Sequence, residues 1–329
     1  MRKKFTSPKR GKLKIGVLFG GKSAEHEVSL QSARNVINGL DKSKYSITPV
    51  KINKNGRFSF SGLKKFDLIF PVLHGPFGED GSIQGLLKLA GVPFVGAGVL
   101  GSAVGMDKDI MKKLLRDAGI PMGKFITIRS GEKINFNKIK KELGLPLFIK
   151  PANMGSSVGV SKVKNEKEFK KAVKNAFKFD NKIIVEEFIN GREIECSVLG
   201  NENPMASIPG EIIANQEFYS YDAKYIDDGY VIEIPAKVDK KITKKIQELA
   251  LKTFQALNCE GMGRVDFFLK KNGSVFVNEI NTIPGFTNIS MYPKLWEAGG
   301  LSQSKLLDRL IELALERFEK EQKLKTTFK

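Results

Sequence analysis

The chain has 329 residues, 41% hydrophobic and 28% charged, with no apolar run near the ~18 residues that cross a bilayer. That points to a soluble enzyme of two or three domains and away from disordered, fibrous and membrane classes. A net charge of +19, from 55 Lys+Arg against 36 Asp+Glu, raises a nucleic-acid partner, but the lysines are scattered and no helix-turn-helix, zinc-finger or ribonucleoprotein signature accompanies them. They are read as solvated helix faces, with a few left for a polyanionic small ligand.

The basic start, residues 1–12, is neither a secretory signal nor a good amphipathic helix, and is expected to be a disordered tail. Residues 13–19 form an apolar run that predicts a buried strand. A literal G-x-x-x-x-G-K-S pattern falls here, on Gly16, Gly21, Lys22 and Ser23. In a phosphate-binding loop the four intervening residues make the turn. Here Val17, Leu18 and Phe19 belong to the strand, so the turn is expected to begin at Gly20-Gly21 and the phosphate reading fails. Leu30, Ala33, Ile37 and Leu40 repeat at helical spacing; residues 47–52 and 67–72 predict further strands. The alternation implies a doubly wound parallel sheet.

Residues 93–95 predict a short strand followed by a G-x-G-x-x-G at Gly96, Gly98 and Gly101. It comes after three earlier strands and lacks a following acidic residue to meet a ribose, so it is read as a flexible connection into a second domain. From Met106 the pattern predicts helices over 107–118 and 166–179. Strands are expected near 124–127, over 146–151, up to 163 and over 182–188, with a glycine-serine loop, ANMGSSVG, among them. The last segment predicts strands over 193–199, 231–235, 264–269 and 275–281, and helices over 239–257 and 302–318. A tyrosine-bearing stretch, 215–229, interrupts it. Cys196 and Cys259 lack C-x-x-C spacing, which suggests reduced thiols inside a cell.

Chemistry concentrates in GRVDFFLKKNGSVFVNEINTIPG, residues 263–285. Lys271-Asn272-Gly273 predicts a hairpin turn, since Asn-Gly supplies positive φ. Strand alternation then sets Arg264 with Asp266 on one face and Glu279 with Asn281 on one face. An internal Arg264–carboxylate pair would explain two of these groups; a hard-cation site explains all the oxygen donors and suits Mg²⁺, which takes its other ligands from water and phosphate. Lys150 precedes the Gly155-Ser156-Ser157-Val158-Gly159 loop, whose N–H groups can cradle phosphate with Lys108 in support. Glu186 and Glu193, around a strand end with Ile189, can meet adenine and ribose. His74 in HGPFGEDGSIQG and the tyrosines of YDAKY admit ordinary core roles as well.

With GGKSAEHEVSL, HGPFGEDGSIQG, MDK, IKPANMGSSVGVSKV, VEEFINGREIE, YDAKY, GRVDFF and NEINTIPGFTNISM in that order, the sequence resembles the D-alanine–D-alanine ligases of the ATP-grasp superfamily. The resemblance implies an α/β ATP-grasp fold of three domains: an N-terminal substrate domain over 13–105, a central ATP-grasp subdomain over 106–187 and a C-terminal subdomain over 188–329. It implies that ATP and two D-alanines react through a D-alanyl phosphate to D-alanyl-D-alanine, a peptidoglycan precursor. Lys108, Lys150, Ser156 and Ser157 would hold the phosphates, and Glu186, Ile189 and Glu193 the adenosine. Asp266, Glu279 and Asn281 would bind two Mg²⁺ ions, with Mn²⁺ able to replace them. Glu25 would pair with the first ammonium group, near His74. Arg264 and the N–H of Gly285 would face the oxyanion, and Ser290 and the backbone at Met291 the second carboxylate. Lys224 and Tyr225 would act in a lid over 215–229, with Tyr225 and Ser156 linked to Glu25. Ile283 and Met291 could tune the acceptor. A cytoplasmic homodimer, without nucleic-acid or membrane partners, is also expected. Another ATP-grasp carboxylate–amine ligase is the nearest alternative, and a basic nucleic-acid-binding protein the alternative of a different class.

Overall fold

The computed structural model describes residues 11–56, 60–214, 230–325 and 327. The first of its three sheets is parallel, ordered β2-β1-β3, with β1 spanning Leu13–Gly20, β2 Tyr45–Ile52 and β3 Leu68–Val72. Ile15, Val17 and Leu18 of the central strand are wholly buried, as a strand covered on both faces requires. Helix α1 (His26–Gly39) adjoins β1 on one face, while α2 (Ser82–Ala90) and a 3₁₀ turn at Phe60–Lys65 cover the other. The glycine turn begins where expected: β1 runs through Gly20, and Gly20 and Gly21 take φ of 95° and 93°. A Cβ on Gly20 would lie 2.3 Å from the Ile52 carbonyl oxygen, so this glycine serves a tight strand exit.

Residues 93–101 depart from the expectation. The predicted strand is only a parallel bridge between Phe94 and Ile69, and the buried Arg317 guanidinium donates to the carbonyls of Phe94 and Gly96, which that bridge leaves unused. The predicted flexible connection is a helix, α3 (Val99–Met106). Its glycines permit close packing: a Cβ on Gly101 would meet the Asn258 carbonyl oxygen at 2.6 Å.

The second sheet is antiparallel and ordered β4-β7-β5-β6, from Phe125–Arg129, Lys182–Glu187, Leu147–Pro151 and Ser161–Val163. Three helices accompany it: α4 (Lys108–Asp117), α5 (Phe136–Leu143) and α6 (Glu166–Ala176). Each begins where a side chain can accept from exposed N–H groups, at Asp107, Asn135 and Asn165.

The third sheet runs β11-β10-β8-β12-β13, with the short β9 (Met205–Ala206) beside β8. Its strands are β8 (Arg192–Gly200), β10 (Gly210–Ala214), β11 (Tyr230–Glu233), β12 (Gly261–Leu269) and β13 (Val275–Asn281), all antiparallel. Helix α7 (Lys240–Ala256) packs on this sheet, and α8 (Met291–Ala298) and α9 (Gln303–Lys323) follow. Leu306, Leu307 and Leu310 of α9 join Ile15, Val17 and Phe70 of the first sheet in one core with Tyr292 and Trp296. Among the described residues no helix is long and apolar enough to cross a membrane.

Candidate active site

Two clefts lie between these sheets. One is lined by Glu25, His74, Glu79, Arg264, Asn281 and residues from Ile283 to Met291 that include Gly285 and Ser290. The other is lined by Lys108, Lys150, Ser157, Glu186, Ile189 and Glu193. Gly155, Ser156 and Glu279 line both. The two clefts therefore meet at these three residues.

Glu25 ends the glycine turn and is almost wholly buried. The Ser156 hydroxyl donates to its carboxylate across 131 residues of chain. Two glycines admit that carboxylate: a Cβ on Gly75 would stand 2.7 Å from it, and one on Gly155 3.0 Å. Ser156 and Ser157 both adopt positive φ, 49° and 59°, a conformation uncommon outside glycine. Strain of this kind, at a loop lining both clefts, marks a place where backbone direction matters more than local stability.

His74 is buried, with Nδ1 3.0 Å from the Ile283 carbonyl and Nε2 3.2 Å from the Ser32 hydroxyl. A carbonyl can only accept, so Nδ1 carries the proton. Burial holds the imidazole below its ordinary pKa, against the pull of Glu25, which favours the neutral ring whose Nε2 accepts from Ser32. Glu79 fastens the same corner, accepting from the N–H of Gly75 at 2.6 Å and of Ile283 at 3.2 Å. Burial, with Glu25 close by, pushes its carboxyl up to about 8.

The hairpin forms, but its turn differs from the expected one: Gly273 takes positive φ, 79°, and Asn272 does not, its side chain instead accepting from the Ser274 N–H at 3.1 Å. Arg264 pairs with Asn281 in register and Asp266 with Glu279. Arg264 grips Asp266 with two bonds, 2.7 and 2.8 Å, Asn281 donates to Asp266 at 3.0 Å, and Glu195 lies 2.9 Å from Arg264. The internal ion pair weighed from the sequence is thus realised, and Glu279 has its own partner in Lys108 at 3.3 Å. Burial lowers the Arg264 pKa, but Asp266 and Glu195 outweigh it and hold the guanidinium charged. Among the described residues no three His, Cys, Asp or Glu side chains gather as a metal cluster. The donor set of Asp266, Glu279 and Asn281, oxygen only and doubly anionic, suits a hard cation completed by phosphate and water.

In the second cleft Lys108 donates to the Met154 carbonyl at 2.8 Å, tying the start of α4 to the serine loop. Glu186 is clamped by Lys150 and Lys112, each at 2.6 Å. Burial raises the Glu186 pKa and the two lysines outweigh it, leaving it at about 2. At the far end of the first cleft the Ser290 hydroxyl accepts from the Thr287 N–H at 2.9 Å and lies 2.7 Å from where a Cβ on Gly285 would be. Ser290 heads α8 without capping it by its side chain, so the hydroxyl turns to Gly285 and Met291 begins the helix.

The structure brings Glu25, His74, Ser156, Arg264, Gly285, Ser290 and Met291 to one cleft and Lys108, Lys150, Ser157, Glu186, Ile189 and Glu193 to the other. Asp266 joins them through Arg264 and Asn281. Lys224 and Tyr225 lie outside the described residues. Glu79, Glu195 and Lys112 do not stand out in the sequence. Each left a signal: Glu79 stands in the same motif as His74, Glu195 is two residues from Glu193 on one strand face, and Lys112 is one helical turn past Lys108. The two cysteines are buried free thiols, both pushed up to about 12 mainly by burial.

A glycine-serine loop on one antiparallel sheet, facing carboxylates on a second across a shared cleft, defines this chain as an ATP-grasp protein. The family model for the D-ala D-ala ligase C-terminus matches residues 114–312, and that for the N-terminus matches 14–65 and 60–97. A D-alanine–D-alanine ligase from Oceanobacillus iheyensis is 50% identical over 96% of this chain and 99% of its own. Ligase A from Salmonella typhimurium is 48% identical with the same coverage. Among solved structures, the Coxiella burnetii D-alanine–D-alanine ligase superposes with a TM-score of 0.85 at 43% identity, over 95% of this chain and 96% of that one. An Enterococcus faecalis D-Ala:D-Ser ligase matches at 0.85 and 39%, over 92% and 100%. A Bacillus anthracis ligase complexed with ATP matches at 0.81 and 33%, over 94% and 99%. The chain belongs to the D-alanine–D-alanine ligase family.

Proposed function

We propose that this protein joins two D-alanines into D-alanyl-D-alanine, converting ATP to ADP and phosphate, as a step toward peptidoglycan in the cytoplasm. The observation that carries this reading is that Gly155, Ser156 and Glu279 line both clefts: a carboxylate in the first meets the terminal phosphate of a nucleotide in the second. Lys108, Lys150 and the N–H groups of the serine loop neutralise and align the phosphates, which is most of what phosphoryl transfer needs. Asp266, Glu279 and Asn281 would hold two Mg²⁺ ions, which supply charge neutralisation at the phosphates. Glu186, Ile189 and Glu193 receive the adenosine.

On the substrate side, Glu25, oriented by Ser156, binds the first ammonium group, with neutral His74 beside it. The first D-alanine carboxylate attacks the γ-phosphate, giving an acylphosphate. The second D-alanine's amine then adds to the carbonyl and phosphate leaves. Arg264 and the Gly285 N–H face the oxyanion, whose stabilisation needs preplaced donors. Ser290 and the N–H of Met291 at the start of α8 take the second carboxylate, where a helix N-terminus favours an anion. Lys224 and Tyr225 would close over the intermediate and keep water out. The functional units follow the three sheets, 13–105, 106–187 and 188–329, and two copies assemble as a homodimer.

The test is ADP release with Mg-ATP and D-alanine, run beside L-alanine, D-alanine plus D-serine and D-alanine plus D-lactate, with products identified by mass. D-alanyl-D-alanine formed from the D-isomer alone supports the reading. Because one similar structure is a D-Ala:D-Ser ligase, a dominant D-alanyl-D-serine product would reassign the acceptor site. Turnover only with another carboxylate would overturn the substrate and keep the fold.

A further inference from the structure

Glu186 stands between two ammonium groups, yet only one of them belongs to the cleft. Lys150 lines it beside the serine loop, 2.6 Å from Glu186 and 3.4 Å from Asn278. Lys112 is 3% exposed, 2.6 Å from the other Glu186 oxygen and close to the Phe125 ring, and does not line the cleft. Lys150 is also drawn to Glu279 and Glu193, which line the same cleft, so Lys112 is the one of the two lysines committed to Glu186 from outside it.

We propose that Lys112 is a positioning residue for nucleotide binding: a standing counter-ion to Glu186 that leaves Lys150 free to transfer to the phosphates. This rests on the reading of the second cleft as the ATP site. When Lys150 turns to a phosphate, Glu186 keeps one buried partner and stays ionised and oriented toward adenine. Without Lys112 the same movement strands a buried carboxylate, so nucleotide binding and the Lys150–Glu186 pair compete. Lys112 sits one helical turn after Lys108 on α4, and the two lysines reach Glu186 and Glu279 from one helix face.

The experiment measures ADP and ATP dissociation constants by calorimetry, steady-state KM for each substrate, and the thermal midpoint of the protein without nucleotide. Wild type, Lys112→Met, Lys112→Arg and Lys112→Met/Glu186→Gln are compared. Lys112→Met should weaken nucleotide binding about tenfold or more, leave the KM for D-alanine within about twofold, and keep a thermal midpoint near wild type, because Lys150 still neutralises Glu186 when no nucleotide is bound. Lys112→Arg should restore most of the affinity, and Glu186→Gln, which removes the stranded charge while keeping an acceptor oxygen toward adenine, should recover part of it in the Lys112→Met background. Nucleotide affinity unchanged in Lys112→Met, or a loss that neither Lys112→Arg nor the second change relieves, overturns the proposal. Failure of wild type itself to bind nucleotide would instead overturn the assignment of the cleft.

Discussion

The carboxylates of the site divide by environment. Glu186 is buried between two lysines and holds its charge far into acid, whereas Glu79 is buried beside another carboxylate and holds a proton to about pH 8. Because the folded pKa of Glu79 lies above its unfolded value, its contribution to stability is complete below about pH 4.5 and is lost as pH rises through 8. Glu79→Gln removes that dependence. The difference in unfolding free energy between wild type and variant should shift by at most about 1.4 kcal/mol per pH unit between pH 5 and 8; a difference flat across that range would show that Glu79 is ionised throughout. Glu279, between the clefts and paired with Lys108, has a different part. Glu279→Gln should abolish ATP turnover, a loss of at least about a hundredfold for a charge that helps hold the reacting phosphate, while circular dichroism and thermal midpoint stay near wild type. Normal turnover would remove the metal assignment. The residue types and spacings of both strands are legible in the sequence. An Arg264–carboxylate pair is among the sequence's alternatives, but the pairing of Glu279 with Lys108 is not, since it depends on how side chains converge in space.

At the scale of elements, glycine shows how far pattern reading extends. The turn at Gly20-Gly21 follows from the length of the apolar run before it, but α3 reads as a loose connection because its glycines look like punctuation. They are contact surfaces: Gly101 lies against the Asn258 carbonyl after α7, and Gly105 against Thr282 after β13. Gly101→Ala should therefore destabilise the fold by about 1–3 kcal/mol, despite alanine's better helix propensity, because backbone must move to admit the methyl group. Gly85, inside α2, has open space where a methyl group would stand, with nothing within 4 Å, so Gly85→Ala should stabilise by about 0.5–1 kcal/mol. Urea midpoints of the two variants test the contrast, and shifts of the same sign would refute it. Strand β10 and helix α8 are also hidden in the sequence. Each is short, and its apolar residues face one another, Ile212 against Met291 and Leu295, so neither shows a periodicity that identifies it alone.

At the scale of the molecule, α9 ties the end of the chain to the beginning. Leu310 is wholly buried in a core shared with the first sheet and with Trp296, the single tryptophan. Leu310→Ala should cost about 2–5 kcal/mol. Tryptophan fluorescence and far-ultraviolet ellipticity should lose stability together, since the cavity opens in a core that both ends of the chain build; separate midpoints would mean that the ends unfold independently. What the amino-acid order determined by itself was local and periodic: which of the longer patterned segments are strands or helices, where Asn-Gly and Gly-Gly turn the chain, and which motifs carry phosphate and carboxylate chemistry. The meeting of Glu25 with Ser156 follows from the family resemblance and not from any pattern in the residues, and tertiary structure alone decided that Glu79 joins Gly75 to Ile283 and that Lys112 and Lys150 share Glu186. Those contacts bridge tens to hundreds of residues. Periodicity records only which face of an element is buried, whereas the partner across that face is set by how the three sheets pack.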